Sequence, residues 1–267
     1  MADHNALQHK KLFLFDLDGT LYLGDRLFDG VCELLSLIRA RGWQYRFLTN
    51  NSSRSVGAYV QKLARLGVAA EESDFLTSVD ALSYYLREHG GEDKRYYVCG
   101  TESMKSQLRA AGFAIAEGRA DADALLMGFD TELTFQKLED ACILLGQGVP
   151  YIATNPDWVC PTSYGFVPDC GSVCEMLWRA TNRRPVIIGK PEPLMPQLAM
   201  REAGASVRET LLVGDRIYTD IASGANAGID TLLVLSGETK SEDLPTAVPQ
   251  PTFVLPDVQA LRSILES

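Results

Sequence analysis

The 267-residue chain is poor in histidine, with only His4, His9 and His89, and none of its six cysteines forms a Cys-x-x-Cys pair. Cys32, Cys99, Cys142, Cys160, Cys170 and Cys174 therefore read as reduced thiols. Cys160, Cys170 and Cys174 cluster, but a structural zinc site needs a fourth ligand and the histidines lie far off, so the spacing argues against zinc. No apolar run reaches membrane-spanning length, and Leu12–Phe15 is too short for the core of a signal peptide. The expectation is no membrane partner and a cytoplasmic location. Positive charge is also short: 25 Lys and Arg face 35 Asp and Glu, a net charge of −10. That balance disfavours nucleic acid and anionic membranes as partners. Internal repeats and low-complexity tracts are missing. What the chain does have is 46% hydrophobic residues, enough at this length to bury a large core.

Strand and helix patterns alternate, which argues a parallel sheet. Leu12–Phe15 reads as a strand, followed by a helix over 31–41 with Val31, Leu34, Leu35 and Ile38 at helical spacing and Gly42 as its stop. Tyr45–Leu48 is the next strand, and Ser55 caps a helix that runs to Leu66. A polar break at Gly90–Lys94 precedes a second α/β set: Tyr96–Cys99, a helix 102–111, Ala124–Met127, a helix 135–146 and Tyr151–Ala153. After Arg183-Arg184-Pro185 the alternation resumes, with strands 186–188, 210–213 and 231–235 and helices 195–203 and 217–227. The predicted organisation is a discontinuous core, 1–79 and 185–267, with an inserted α/β lobe, 80–184.

Chemistry-bearing residues fall just past the apolar strands. Asp16 and Asp18, two residues apart in Phe13-Leu14-Phe15-Asp16-Leu17-Asp18-Gly19-Thr20, leave a strand that is apolar on both faces. In open α/β sheets, ligands bind outside the carboxyl ends of strands. One carboxylate can attack an electrophile or hold a metal while the other moves a proton. The hydroxyl and backbone N–H groups of Thr49-Asn50-Asn51-Ser52-Ser53 can cradle phosphate oxygens. Lys190, after Ile188-Gly189, is a compact charge suited to phosphoryl oxygens. Asp215 ends another apolar strand, with Asp220 five residues on, and such carboxylates suit a hard cation such as magnesium. Asp220 also complements a helix dipole.

In this order the motifs resemble those of the haloacid dehalogenase superfamily of phosphatases. Asp16-Leu17-Asp18-Gly19-Thr20 looks like the family's first motif, Leu48-Thr49-Asn50 the second, Lys190 the third, and Gly214-Asp215 with Asp220 the fourth. About 140 residues separate the second motif from Lys190, which suggests the large α/β cap of nitrophenylphosphatase-like (NagD-like) members. Thr49-Asn50-Asn51-Ser52, Ala153-Thr154-Asn155-Pro156-Asp157 and Gly189-Lys190-Pro191-Glu192-Pro193 also look like that subgroup. Where many relatives carry a Pro-Gly-rich cap loop, this chain has Pro168-Asp169-Cys170-Gly171-Ser172.

The resemblance implies a Rossmann-like core with an inserted cap, and magnesium-dependent hydrolysis of small phosphate monoesters through an aspartyl-phosphate on Asp16. It implies that Asp18 protonates the leaving oxygen and then activates water. Thr49 and Asn50 would bind phosphoryl oxygens, with Lys190 neutralising their charge. Asp16, the backbone carbonyl of Asp18 and Asp215, supported by Asp220, would hold magnesium. The 168–172 loop, with Asp169 and Cys170, is expected to face Asp16 across a cleft whose core side Asn51, Ser52 and Arg54 line. The partner is a small phosphorylated metabolite. A homodimer stays open, since cap-mediated dimers are known among relatives. Two other readings also stay open: a phosphotransferase or mutase on the same fold, and a non-catalytic phosphometabolite-binding protein.

Overall fold

The computed structural model describes residues 4–162 and 164–267. The chain divides into two compact units, 1–49 with 60–76 and 190–267, and 50–59 with 77–189. Each has its own parallel sheet and core, an α/β architecture of the expected kind.

In the first unit the central strand is Leu12–Phe15, all four residues buried. It pairs in parallel with Thr210–Gly214 on one side and Gln44–Thr49 on the other. Asp230–Val234 and Phe253–Leu255 extend the first side; Phe75–Thr77, whose last residue belongs to the second unit, extends the other. Strand order thus reverses direction between Leu12–Phe15 and Thr210–Gly214, the switch point at which open α/β sheets leave a crevice. Apolar residues on both faces explain why the strand takes the middle of the sheet. The helix Val31–Ala40 buries Val31, Leu34, Leu35 and Ile38, and Gly42 follows it at φ 71°, a left-handed turn that glycine adopts without strain. Asp257 caps Val258–Glu266 by accepting from the Ala260 amide at 2.9 Å.

The predicted helix over 217–227 is not continuous. Ile217–Ile221 forms a wide π-type turn before the short helix Ala222–Asn226. The Asp220 amide still bonds back to the Arg216 carbonyl at 3.1 Å, while the Asp220 carboxylate accepts from the Arg216 amide at 3.1 Å. The carboxylate is turned inward at the place where the helix widens, a position such turns often occupy at functional sites.

The second unit has five parallel strands, ordered Val186–Ile187, Tyr151–Ala153, Ala124–Met127, Arg95–Cys99 and Ala114–Ile115. Its helices start at side-chain caps: Thr77 with Asp80 for Ser78–Glu88, Thr101 for Glu102–Ala110 and Thr134 for Phe135–Gly146. Phe135–Gly146 and Cys170–Thr181 enclose a core that includes Cys99, Leu125, Met127, Leu144, Tyr151, Cys170 and Cys174. An antiparallel hairpin, Val159–Thr162 with Gly165–Pro168, precedes Cys170–Thr181.

The segment 50–59, expected with the first unit, clusters with the second. Its hydrogen bonds explain this. The Asn50 carbonyl accepts from Ser78 Oγ at 2.7 Å and Asn155 Nδ2 at 2.9 Å, and Asn50 Nδ2 donates to Asp157 at 3.1 Å. The Ser52 hydroxyl accepts from the Phe129 amide at 2.8 Å and lies 3.1 Å from Thr154 Oγ1, while Thr101 Oγ1 donates to the Ser53 carbonyl at 3.0 Å. Among the described residues no helix is long and apolar enough to cross a membrane.

Candidate active site

Parallel register places the site. Phe15 lies opposite Val213 and Phe47. The residues that follow on these three adjacent strands therefore leave the carboxyl edge side by side: Asp16, Gly214-Asp215 and Leu48-Thr49. The Asp16 amide bonds to the Val213 carbonyl at 2.9 Å, which carries the pairing one residue past the strand, to Asp16. Thr49 is buried at the end of its strand.

Three carboxylates converge there. One oxygen each from Asp16, Asp215 and Asp220 lies within 4.8 Å of the others, and no other such acid, histidine or cysteine group occurs among the described residues. Lys190 reaches into the cluster, 2.5 Å from Asp16 Oδ1 and 2.6 Å from Asp220 Oδ1, and also bonds the Leu48 carbonyl at 3.4 Å. Asp215 is held from the other side by the Glu238 amide at 2.7 Å, with the Thr20 hydroxyl 3.5 Å away.

Glycines make room for these groups. A Cβ on Gly19 or Gly237 would run into the Asp215 carboxylate, and one on Gly214 into Asp220. Gly19 needs glycine twice over, because its φ of +86° suits no side chain.

The electrostatics leave a deficit of positive charge. Burial pulls the Lys190 ammonium toward its neutral form, but Asp16 and Asp220 outweigh that and hold it protonated, well above the ordinary lysine value. Burial pushes Asp16 well up, and Lys190 offsets this only in part against Asp220 and Asp215. Asp215 is pushed up to about 6, by burial first and by Asp220 second. Three acids, two of them buried, with one ammonium form an oxygen-donor set that a hard divalent cation would complete, and the glycine-lined space around them fits that role.

Asp18 stands apart. Its side chain is 47% exposed, its Oδ2 accepts from the Tyr22 hydroxyl at 3.1 Å, and Lys62 lies 3.6 Å from its Oδ1. Neither Tyr22 nor Lys62 is singled out by the sequence. The only signal is that Tyr22 lies four residues after Asp18, and Lys62 offers none.

The other expected site residues are placed differently. The buried Ser52 hydroxyl is spent on Phe129 and Thr154 rather than left for phosphate. The Asn51 side chain accepts from the Ser53 amide at 2.9 Å, a local turn, and Arg54 is exposed. The predicted loop 168–172 is mostly helix. Asp169 caps Cys170–Thr181, accepting from the Cys170 amide at 2.5 Å, and Cys170 is fully buried, 3.9 Å from Cys174. Both belong to the second unit's interior.

Residues 13–114 match the haloacid dehalogenase-like hydrolases, and residues 187–261 match a HAD-hydrolase-like family. The 5'-nucleotidase YutF of Bacillus subtilis is 37% identical over 245 residues, 92% of this chain and 94% of that protein. A 4-nitrophenylphosphatase from Thermotoga maritima superposes with a TM-score of 0.93 at 38% identity, covering 97% of this chain and 99% of its own. A glycerol phosphate phosphatase from Mycobacterium tuberculosis, solved in complex with magnesium, gives 0.90 at 30% identity over 96% of this chain and 77% of its own.

Proposed function

The chain belongs to the haloacid dehalogenase-like hydrolases and is a phosphoric monoester hydrolase, and on that footing we propose a magnesium-dependent reaction through an aspartyl-phosphate. The observation that carries this reading is the convergence of Asp16, Asp215 and Asp220 at the sheet's switch point, with the buried Lys190 bonded to Asp16 and Asp220. Asp16 is the nucleophile. One of its oxygens bonds to phosphorus as the P–O bond to the leaving group breaks. Asp18 gives its proton to the departing oxygen, then takes one from the water that cleaves the acyl phosphate. Lys190 and Thr49 neutralise the phosphoryl oxygens, and Asn50 extends the same edge. Phosphoryl transfer is governed mainly by such positioning and charge stabilisation. Asp16, Asp215 and the Asp18 carbonyl, with Asp220 in support, would hold magnesium, which would offset charge on the transferring group. The substrate is a small phosphorylated metabolite, in keeping with the names of the relatives. The inserted unit, expected as 80–184, serves as the cap that shapes substrate choice.

The test is a rapid acid quench with a ³²P-labelled phosphate ester. Wild type should retain label that hydroxylamine releases, as an acyl phosphate does, and Asp16→Asn should retain none. Label on the Asp16→Asn protein refutes the nucleophile. Phosphate released with water as the sole acceptor separates the hydrolase from a phosphotransferase or mutase.

A further inference from the structure

The two aspartates of the first motif each have a lysine, and only one of those lysines is accounted for above. Lys190 serves Asp16. Lys62 lies in the last turn of the helix Val56–Arg65. A lysine there ordinarily extends into water, where it complements the helix dipole. Arg65, in the same turn, is exposed. Lys62 turns inward instead: its side chain is only 14% exposed, and its ammonium sits 3.8 Å from the centroid of the Tyr22 ring and 3.6 Å from Asp18 Oδ1. Burying an ammonium is costly unless partners compensate, and these two are the partners.

Tyr22 completes the arrangement. It is fully buried, and its backbone is pinned by the Gly19 amide, which donates to its carbonyl at 2.8 Å. The ring shows its face to Lys62 and its hydroxyl to Asp18 Oδ2. A buried tyrosine and a largely covered lysine therefore face the two oxygens of one half-exposed carboxylate. The two contacts differ in kind. The Tyr22 hydroxyl donates a hydrogen bond to Oδ2, whereas Lys62 at 3.6 Å attracts Oδ1 without bonding to it. The direction of Oδ1 is thereby fixed.

We infer that Lys62, acting with Tyr22, is the positioning residue for Asp18, and that it aims Oδ1 at the leaving-group oxygen. The inference rests on the reading of Asp18 as the acid and base. A mobile carboxylate would deliver its proton over a spread of directions, and small misplacements of a catalytic group are expensive. The proton moves from Oδ1 to the ester oxygen, which departs with the electron pair of the broken P–O bond.

The experiment measures kcat and KM on 4-nitrophenyl phosphate, whose leaving group needs little protonation, and on glycerol phosphate, whose leaving group needs much. Lys62→Met should lower kcat on the alkyl ester about tenfold more than on the aryl ester, with KM for each within about twofold and Tm unchanged. Tyr22→Phe should shift the ratio the same way, and Lys62→Arg should recover part of it. Those two variants carry the readout if Lys62→Met does not fold. Equal losses on both esters overturn the inference, and so does a raised KM with kcat intact, because Lys62 would then attract substrate rather than aim Asp18. Asp18→Asn separates the two levels. If it shifts the alkyl-to-aryl ratio and the Lys62 and Tyr22 variants do not, only the positioning fails. If Asp18→Asn leaves the ratio unchanged, the acid assignment fails and the inference falls with it.

Discussion

Asp16 and Asp215 share a small volume, yet substituting each should report on a different property. Asp16→Asn removes the attacking oxygen and keeps the shape, so turnover should fall by at least about a thousandfold. Its Tm should hold or rise, since one of three mutually repelling acids is gone. Near wild-type kcat would refute the assignment. Asp215 reports on pH. Its folded value, about 6, lies above the ordinary carboxylate value. Between about pH 4 and pH 6 the folded protein therefore keeps a proton that the unfolded chain has lost. Metal-free stability should accordingly fall as pH rises through that window, by on the order of 3 kcal/mol at most. Urea unfolding in chelator at pH 4.5 to 7 checks this; Asp215→Asn should flatten the slope and saturating magnesium should oppose it. These positions were legible in the sequence because each follows an apolar strand that cannot be anything but central. Lys62 was not, since its role exists only once a helix some 40 residues away packs beside Asp18. The partners of Ser52 were illegible for the same reason: nothing in 49–53 announces that Thr154 and the Phe129 amide will meet its hydroxyl.

Among the elements, Cys170–Thr181 and the strand-end turns offer sharp tests. Alanine is ordinarily about 1 kcal/mol better than glycine within a helix. At Gly171 the sign should invert, because a Cβ there would collide with the Pro156 carbonyl, a backbone atom with nowhere to go. Gly171→Ala should therefore lower Tm, and a higher Tm would show that the 155–158 turn yields. Gly237 has no positive φ, so its requirement is space alone. Gly237→Ala pushes on the Asp215 carboxylate and should raise the magnesium concentration for half-maximal activity about tenfold, while Tm changes little. Unchanged magnesium dependence would remove Asp215 from the metal site. Alternating apolar segments made most strands and helices readable to within a residue or two. The hairpin Val159–Thr162 with Gly165–Pro168 escaped notice, because its short strands are mostly exposed and carry no buried face to set a period. The break in 217–227 escaped as well. Its pattern suits a helix, and the ion pair of Asp220 with Lys190, from another part of the chain, leaves no trace in that pattern.

For the molecule as a whole, activity should depend on magnesium. Three acids and one buried lysine otherwise present net negative charge to an anionic substrate. Turnover should vanish in chelator and return with magnesium, and calcium should substitute poorly because its larger, looser shell misplaces Asp16. Full activity in chelator would overturn the metal site. The two-lobed α/β plan was legible because the strand–helix alternation stops at a polar break and starts again. The assignment of 50–59 was not, since hydrogen bonds to residues 78–155 decide it. The same sheet order also governs how the protein is made. Gln44–Thr49 follows Leu12–Phe15 by about 30 residues in synthesis and can pair with it soon after, but the other neighbour of Leu12–Phe15, Thr210–Gly214, is about 200 residues away. Until Thr210–Gly214 is made, this fully buried strand is therefore an open edge, the kind of surface on which nascent chains aggregate. Asp16 is translated about 200 residues before Asp215 and Asp220, the acids that converge with it.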